Sequence, residues 1–187
     1  MTTTTLVLGG TQSGMSRHAQ SLLPRDHAVT AIEVRQPGSR SDPERSSRTT
    51  RDQQERPQEW TTVEATDITR AIIHARSPVL VDDLGSWVTA TIDEANLWKS
   101  PAKALRLVEE KTAELVALWA WAPYDAVALS HEVGVSLTPQ TPAERLFHDA
   151  LEHVNVSLSA VSQQVYLVIA GRLLDLSEAP AISPPTS

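Results

Sequence analysis

The order of hydrophobic and polar residues divides the chain into short apolar runs and longer amphipathic segments. The apolar, β-branched runs predict five strands, at 3–8, 29–34, 78–83, 125–130 and 164–170. Helices are predicted at 16–23 and 67–76, and two longer helices after Ser100 and Thr141 place apolar residues at helical spacing. Because strands and helices alternate, the sequence predicts an α/β fold with a mainly parallel sheet flanked by helices.

Capping residues and composition set the expected boundaries. Ser100-Pro101 is typical of a helix start, and Thr141-Pro142-Ala143-Glu144 has the sequence of a capping box. We expect one domain over residues 1–176, with an arginine-rich excursion at 35–59. A proline-containing tail at 177–187 is expected to be disordered.

A glycine-rich segment joins the first strand to the first helix. Its residues are Gly9, Gly10, Thr11, Gln12, Ser13, Gly14, Met15 and Ser16. Gly9, Gly14 and Ser16 match the phosphate-binding pattern G-x-x-x-x-G-K-[ST], but Met15 replaces the lysine. Backbone N–H groups of such a loop point at phosphate oxygens, and the serine hydroxyl binds Mg²⁺. The match predicts a P-loop NTPase-like fold; the alternative is an ordinary strand-to-helix turn.

The missing lysine changes the expected chemistry. Methionine has no charge and no donor, so nucleotide would bind more weakly. Catalysis would lose more, since one transition-state donor commonly contributes about 10²–10³ in rate. The chain has three lysines, all at position 99 or later, so a substitute is distant in sequence or is an arginine. Arg17 is the nearest candidate.

Acidic and histidine residues follow two of the predicted strands. The run at 78–83 ends in two acids, Asp82 and Asp83, and we expect Asp82 to bind magnesium, because a strand after a phosphate loop commonly supplies such a ligand. The alternative is that acids simply end this strand at the surface. His131-Glu132 follows the strand at 125–130 and has the chemistry to bind metal or shuttle protons, although a loop contact is the commoner role.

The segment at 35–59 has neither apolar periodicity nor enough apolar residues for a core. It contains six arginines, at positions 35, 40, 45, 48, 51 and 56. It is either a solvated loop or a phosphate-binding lid, because the guanidinium group matches phosphate geometry.

Charge and composition exclude several classes of function. The net charge of −7 argues against a general nucleic-acid or anionic-membrane binder. The absence of cysteine excludes thiol chemistry and zinc–thiolate sites. No apolar run approaches the roughly 20 residues of a membrane span, and no secretory signal is recognisable, so we expect a cytoplasmic protein.

Several stretches form an ordered set of motifs. They are Gly9-Gly10-x-x-Ser13-Gly14-x-Ser16-Arg17-His18-Ala19, Arg56-Pro57-x-x-Trp60-x-Thr62-x-Glu64, Asp82 with Trp87 downstream, Glu132-Val133-Gly134, Pro139, Arg145-x-Phe147-x-Asp149 and Asn155. In this order they resemble the bifunctional adenosylcobinamide kinase/adenosylcobinamide-phosphate guanylyltransferase family of cobalamin biosynthesis. The resemblance covers most of residues 4–171.

The resemblance implies a trimer with two activities. ATP or GTP phosphorylates the aminopropanol hydroxyl of adenosylcobinamide, and GMP is then transferred from GTP through a covalent histidine intermediate. By position, residues 9–16 would hold phosphates, Ser16 and Asp82 would hold Mg²⁺, and Glu64 would contact the guanine nucleotide. Further nucleotide contacts implied by position are Glu33, Val34, Arg35, Gln53, Gln54, Glu55 and Arg56.

The departures from the family pattern fall on positions that take part in catalysis in that family. The first departure is Met15 in place of the loop lysine. The second is Asp52, which stands four residues before Arg56, where the family has the guanylylated histidine. A histidine forms a phosphoramidate, whereas a carboxylate repels the triphosphate and forms only a labile acyl phosphate. His131 stands where the family has asparagine, and Pro142 and His148 stand where it has arginines. This pattern predicts a degenerate member whose guanylyl transfer is impaired.

Three hypotheses remain open at the level of sequence. The chain is an enzyme that keeps at least the kinase half, with an arginine in place of the lysine. Alternatively, it is a catalytically inactive nucleotide- or corrinoid-binding homologue that acts as a partner or regulatory subunit. The third hypothesis is a stable domain of the same fold without nucleotide function.

Overall fold

The computed structural model describes residues 2–34, 56–135 and 138–182. Within these ranges the chain forms seven strands and five helices. The strands are β1 (Thr4–Gly9), β2 (Val29–Val34), β3 (Trp60–Ala65), β4 (Val79–Asp82), β5 (Ala126–His131), β6 (Gln164–Ile169) and β7 (Arg172–Asp175). The helices are α1 (Met15–Ser21), α2 (Ile68–Ala75), α3 (Leu84–Glu94), α4 (Pro101–Trp119) and α5 (Pro142–Ser159).

The strands form one sheet in the order β3-β2-β4-β5-β1-β6-β7. All neighbours are parallel except β7, which pairs antiparallel with β6. Every residue of β1 is buried, as expected for a central strand that is covered on both faces. The carboxyl ends of β2, β3, β4, β5 and β1 therefore meet at one edge, where ligands bind in open parallel sheets.

The two faces of the sheet are covered unequally. Leu6 and Leu8 of β1 join a large apolar cluster with residues of α2, α3, α4 and α5. Val7 faces the opposite side and joins a smaller cluster with Met15 and Ala19 of α1. Among the described helices, α1 alone packs on this second face, so the glycine loop and α1 lie together on the less covered side.

The predicted α/β class with a mainly parallel sheet is confirmed, and each of the five predicted strands is present. The structure adds three elements that the sequence did not indicate, namely β3, α3 and β7. Residues of β3 and β7 are mostly exposed at the two sheet edges, so they lack an apolar run. Helix α3 contains Gly85 and several β-branched or hydroxyl residues, which are weak helix formers, and burial of most of its surface stabilises it instead.

The helix starts were predicted with mixed success. The capping box is present, since Thr141 Oγ1 accepts a hydrogen bond from Glu144 N, and Glu144 Oε2 accepts one from Thr141 N. The bond from Thr141 N is the main cause that lowers the pKa of Glu144. Ser100 precedes α4 as expected, but its side chain makes no capping hydrogen bond.

Two further observations concern the end of the chain and its helices. Val165 N donates to Ser177 Oγ at 3.1 Å, so the first residue of the predicted tail is held against β6. In the described ranges, none of the helices combines the length and apolar character that crossing a bilayer requires. The single domain over residues 1–176 stays a prediction.

Candidate functional site

The glycine loop forms a tight turn between the central strand and α1. Ser13 N donates to Gly10 O at 3.1 Å, and Gln12 adopts a positive φ of 62°. Gly14 caps α1 with φ 99°, a conformation that residues with a Cβ rarely adopt. The first turn of α1 therefore begins directly above the end of β1, with the free N–H groups of a helix start at the carboxyl edge of the sheet.

Gly9 is required by close packing. A Cβ at this position would lie 2.7 Å from Ser13 Oγ and 3.0 Å from Val168 O. Gly10 differs, because a Cβ there would meet no atom within 4 Å. Gly171 N, in the turn between β6 and β7, donates to Ser13 O at 3.1 Å. The loop is thus held by its own strand on one side and by the last hairpin on the other.

Ser13 carries a buried hydroxyl that is unpartnered. Its Oγ has no hydrogen-bond partner among the described residues. Buried polar atoms without a partner are uncommon and call for an explanation, such as a ligand or water. The atom lies within the loop that the sequence assigned to phosphate, so the observation agrees with a polar ligand there.

Met15 is part of the hydrophobic core. Its residue surface is 7% exposed, and it packs in the cluster beneath α1 with residues such as Val7 and Ala19. The position that carries the loop lysine in the G-x-x-x-x-G-K-[ST] pattern thus contributes apolar packing in this chain. Ser16 is half-buried in the first turn of α1, and Arg17 beside it is exposed.

Three acidic residues lie in one row across neighbouring strands. Glu33 of β2 is directly in register with Glu64 of β3 and with Asp82 of β4. Neighbouring strands are roughly 5 Å apart, so these carboxylates occupy one level on one face of the sheet. Val34 is the last residue of β2, one position beyond this row. Glu64 also lines a groove of about 450 Å³ between β3 and α2, together with Asp67, Arg70 and His74.

Arg56 lies across this row of carboxylates. Its Nη1 donates to Glu33 Oε1 at 2.7 Å and to Thr62 Oγ1 at 3.1 Å, and its Nη2 donates to Asp82 Oδ2 at 2.9 Å. The Arg56 side chain is 4% exposed, against 12% for Glu33 and 23% for Asp82. Three residues that the resemblance assigned to nucleotide or metal contacts, at positions 33, 56 and 82, therefore contact one another.

The two predicted metal ligands lie on different elements. Asp82 at the end of β4 pairs with the guanidinium of Arg56, and Ser16 lies in the first turn of α1, which packs on β1 and β5. Within residues 2–34, 56–135 and 138–182, no group of three His, Asp or Glu side chains has a metal-binding arrangement. The Mg²⁺ site predicted at Ser16 and Asp82 contains only one such side chain and stays a prediction.

The end of β5 lies beside the loop and is fixed by a buried asparagine. His131 is directly in register with Gly9, and Glu132 N donates to Gly9 O at 3.2 Å. Asn155 of α5 accepts from Ser130 Oγ at 2.6 Å and donates to His131 O at 3.0 Å. Asn155 is 5% exposed, so its function here is to fix the strand end against α5.

Asp83 connects this strand end to α3. Its two carboxylate oxygens accept hydrogen bonds from Ser86 N at 2.7 Å and Ser86 Oγ at 3.0 Å, which caps the helix. His131 Nδ1 lies 4.0 Å from Asp83 Oδ1. The carboxylate of Glu132 accepts from Gly134 N at 2.8 Å. The predicted His131-Glu132 pair therefore makes local contacts, and His131 also approaches Asp83.

His18 is a feature that sequence reasoning did not single out beyond its place in the loop motif. It packs edge-on against Tyr166 of β6, with ring centroids 5.1 Å apart. Burial lowers the pKa of His18, and its Nε2 has no partner among the described residues. A neutral histidine one turn into α1 is therefore expected near neutral pH. The sequence signal that could have identified His18 as a site residue is its position two residues after Ser16.

Several predicted site residues lie outside the described residues. These are Arg35, Asp52, Gln53, Gln54 and Glu55. The lid hypothesis for residues 35–59 likewise lies outside the described part, apart from positions 56–59. The nucleotide contacts assigned to these residues stay predictions.

A glycine loop at the carboxyl end of a central parallel strand, beside acidic strand ends, defines a P-loop type of α/β protein. The sequence model of the CobU family, cobinamide kinase / cobinamide phosphate guanyltransferase, matches residues 5–176. The chain belongs to this family, which confirms the membership predicted from its motifs.

The similar proteins include two curated relatives and two solved structures. The chain is 30% identical over 175 residues to the bifunctional adenosylcobalamin biosynthesis protein CobU of Escherichia coli K12, and 28% identical over 176 residues to that of Salmonella typhimurium LT2. Each match covers 89% of this chain and 95% of the relative. A KaiC-like protein from Pyrococcus horikoshii OT3 has a TM-score of 0.46 at 12% identity, covering 88% of this chain and 71% of that chain. The P4 protein from bacteriophage φ6 in complex with ADP has a TM-score of 0.38 at 11% identity, covering 92% and 54%.

Proposed function

We propose that this chain is a cobinamide kinase/guanylyltransferase-type protein of cobalamin biosynthesis that binds GTP or ATP at residues 9–16 and is impaired in guanylyl transfer. The observation that carries the nucleotide site is the loop itself. The loop forms a closed turn. A side chain would disrupt it at Gly9, where a Cβ has no room, and at Gly14, which has a positive φ. The substrate class, an adenosylcobinamide-type corrinoid, follows from the family.

The phosphate groups are expected to bind through the backbone. N–H groups of the loop and of the first turn of α1 supply donors, and the helix dipole favours the anion. Ser16 would add a hydroxyl, which is also the group best placed to contact an ion that arrives with the nucleotide. No ammonium group is present at position 15, so the phosphoryl-transfer step is expected to be slow relative to a loop with lysine.

Nucleotide binding is tested by calorimetric titration of the purified protein with GTP and with ATP, each with Mg²⁺. We expect micromolar binding of at least one nucleotide. Gly9→Ala is expected to abolish it, because the added Cβ would displace Ser13 and the hairpin carbonyl of Val168. Arg106→Gln, which changes an exposed arginine of α4 outside the loop, is the control and should bind as the unmodified chain does. Absence of heat up to millimolar nucleotide would overturn the proposal.

The guanylyl-transfer step is tested by the covalent intermediate. Asp52 stands in the position of the nucleophilic histidine, so we expect no acid-labile GMP adduct after incubation with GTP labelled at the α-phosphate. Asp52→His combined with Met15→Lys is expected to form such an adduct. A stable adduct on the unmodified chain would contradict the proposed impairment.

A second function is favoured by the burial of Met15 and by the loss of the histidine. Both changes are compatible with a catalytically inactive homologue that binds nucleotide or a corrinoid and acts as a partner subunit. It is distinguished by nucleotide binding without phosphorylation of adenosylcobinamide. The trimer implied by the resemblance is checked by light scattering on the purified protein.

A further inference from the structure

The sheet places a histidine, His131, beside the glycine loop. It is directly in register with Gly9 on the neighbouring parallel strand, so the two positions lie on the same face, roughly 5 Å apart. A Cβ at Gly9 would lie 2.7 Å from Ser13 Oγ, so Ser13 crosses this face. The side chain of His131 therefore leaves the sheet next to the buried, unpartnered hydroxyl of Ser13.

The backbone of His131 is held from two sides. Glu132 N donates to Gly9 O at 3.2 Å, and Asn155 Nδ2 donates to His131 O at 3.0 Å. These bonds join the end of β5 to the loop and to α5. The side chain of His131 is nevertheless 35% exposed, so the imidazole is positioned at the loop and is open to a ligand.

Asp83 determines which ring nitrogen of His131 faces the ligand. His131 Nδ1 lies 4.0 Å from Asp83 Oδ1, and Asp83 is itself held by Ser86 at the start of α3. The two nitrogens lie on different edges of an imidazole ring, so Nε2 is directed away from this carboxylate. In the imidazolium form both nitrogens donate, and Nε2–H is then suited to a phosphate oxygen.

The loop itself has no positive side chain. Residues 9–16 contain neither lysine nor arginine, and Arg17 beyond them is exposed. Met15, at the position where the phosphate-binding pattern has lysine, packs in the apolar cluster beneath α1. A positive charge for bound phosphates must therefore come from outside the loop.

We propose that His131 supplies the phosphate donor that Met15 cannot, by binding the β- or γ-phosphate of the nucleotide through Nε2–H. The proposal rests on the proposed nucleotide site at residues 9–16. His131 is then a nucleotide-binding residue, and Asp83 is the positioning residue that orients its ring. The unpartnered Ser13 hydroxyl lies beside the same phosphate groups.

Calorimetric titration with GTP and Mg²⁺ tests the proposal. His131→Gln keeps a neutral donor but removes the positive charge, so it is expected to weaken GTP binding at least about tenfold. His153→Gln removes an exposed histidine of α5 and should bind GTP as the unmodified chain does. A folded His131→Gln variant with unchanged GTP affinity would overturn the proposal. Circular dichroism establishes that each variant is folded.

The same substitution in a Met15→Lys background separates a phosphate contact from a structural role. The introduced lysine supplies the missing charge, so His131→Gln is expected to weaken GTP binding there by less than about threefold. An equal loss of affinity in both backgrounds would show that His131 only holds the strand end. The proposal would then be wrong.

Nuclear magnetic resonance on the unmodified protein provides a second measurement if a variant fails to fold. The imidazole ¹⁵N signals of His131 are expected to shift on saturation with GTP, whereas those of His153 stay unchanged. Unchanged His131 signals with GTP bound would refute this proposal and leave the nucleotide site intact. If the unmodified chain binds neither GTP nor ATP, the proposed nucleotide site is wrong, and the function of His131 is refuted with it.

Discussion

Arg56→Ala is expected to lower the free energy of unfolding by about 3–5 kcal/mol, because it removes a buried guanidinium that forms ion pairs with the mostly buried Glu33 and Asp82. For a chain of this length, the loss corresponds to a fall in Tm of roughly 10 °C. Thermal and urea unfolding monitored by circular dichroism measure the change.

Matched variants separate the charge effect from lost packing. Arg106→Ala removes an exposed arginine and is expected to change stability by less than about 0.5 kcal/mol. Glu33→Gln and Asp82→Asn, introduced together with Arg56→Ala, should recover part of the loss because the repulsion is removed. A loss below about 1 kcal/mol for Arg56→Ala would show that solvent or another group compensates the carboxylates.

Met15→Lys is expected to raise nucleotide affinity and to destabilise the nucleotide-free protein. A charge-assisted hydrogen bond to phosphate contributes about 1.5–3 kcal/mol, which corresponds to roughly 10- to 150-fold in Kd. Without nucleotide, the ammonium of the introduced lysine cannot remain in the apolar cluster in which Met15 packs. We therefore expect the free energy of unfolding to fall by about 1–3 kcal/mol. Calorimetry and thermal unfolding, each with and without GTP, measure both effects.

Met15→Leu is the control for this substitution. It keeps the apolar volume and is expected to change stability by less than about 1.5 kcal/mol, with no change in affinity. If Met15→Lys is folded and binds GTP no more tightly than the unmodified chain, the missing charge does not limit binding. The proposed reason for impaired catalysis would then be wrong.

The features that could be predicted from sequence are local ones. Apolar runs identify β1, β2, β4, β5 and β6 because a buried parallel strand needs no partner information to be recognised. The glycine loop is also local, and Gly14 has the positive φ that its place before α1 suggests. Edge strands β3 and β7 were missed because exposure removes the apolar signal.

The pairing of Arg56 could not be predicted, because it depends on the register of three strands. Positions 33, 56 and 82 are far apart in the chain and meet only when β2 pairs with β3 and β4. Sequence reasoning treated each residue as a separate ligand contact. It also interpreted Met15 as the absence of a donor, whereas the structure adds that this side chain fills the core beneath α1.

The central position of β1 has a consequence for the order of events during synthesis. β1 begins at Thr4, but its neighbours in the sheet begin at Ala126 and Gln164, so the strand leaves the ribosome long before either partner exists. Its apolar residues stay unpaired for most of translation, a situation that favours slow folding and exposure to chaperones. The loop receives the hydrogen bond from Gly171 N to Ser13 O only after the last hairpin has been made. We therefore expect a ligand of the loop to stabilise chiefly the finished sheet.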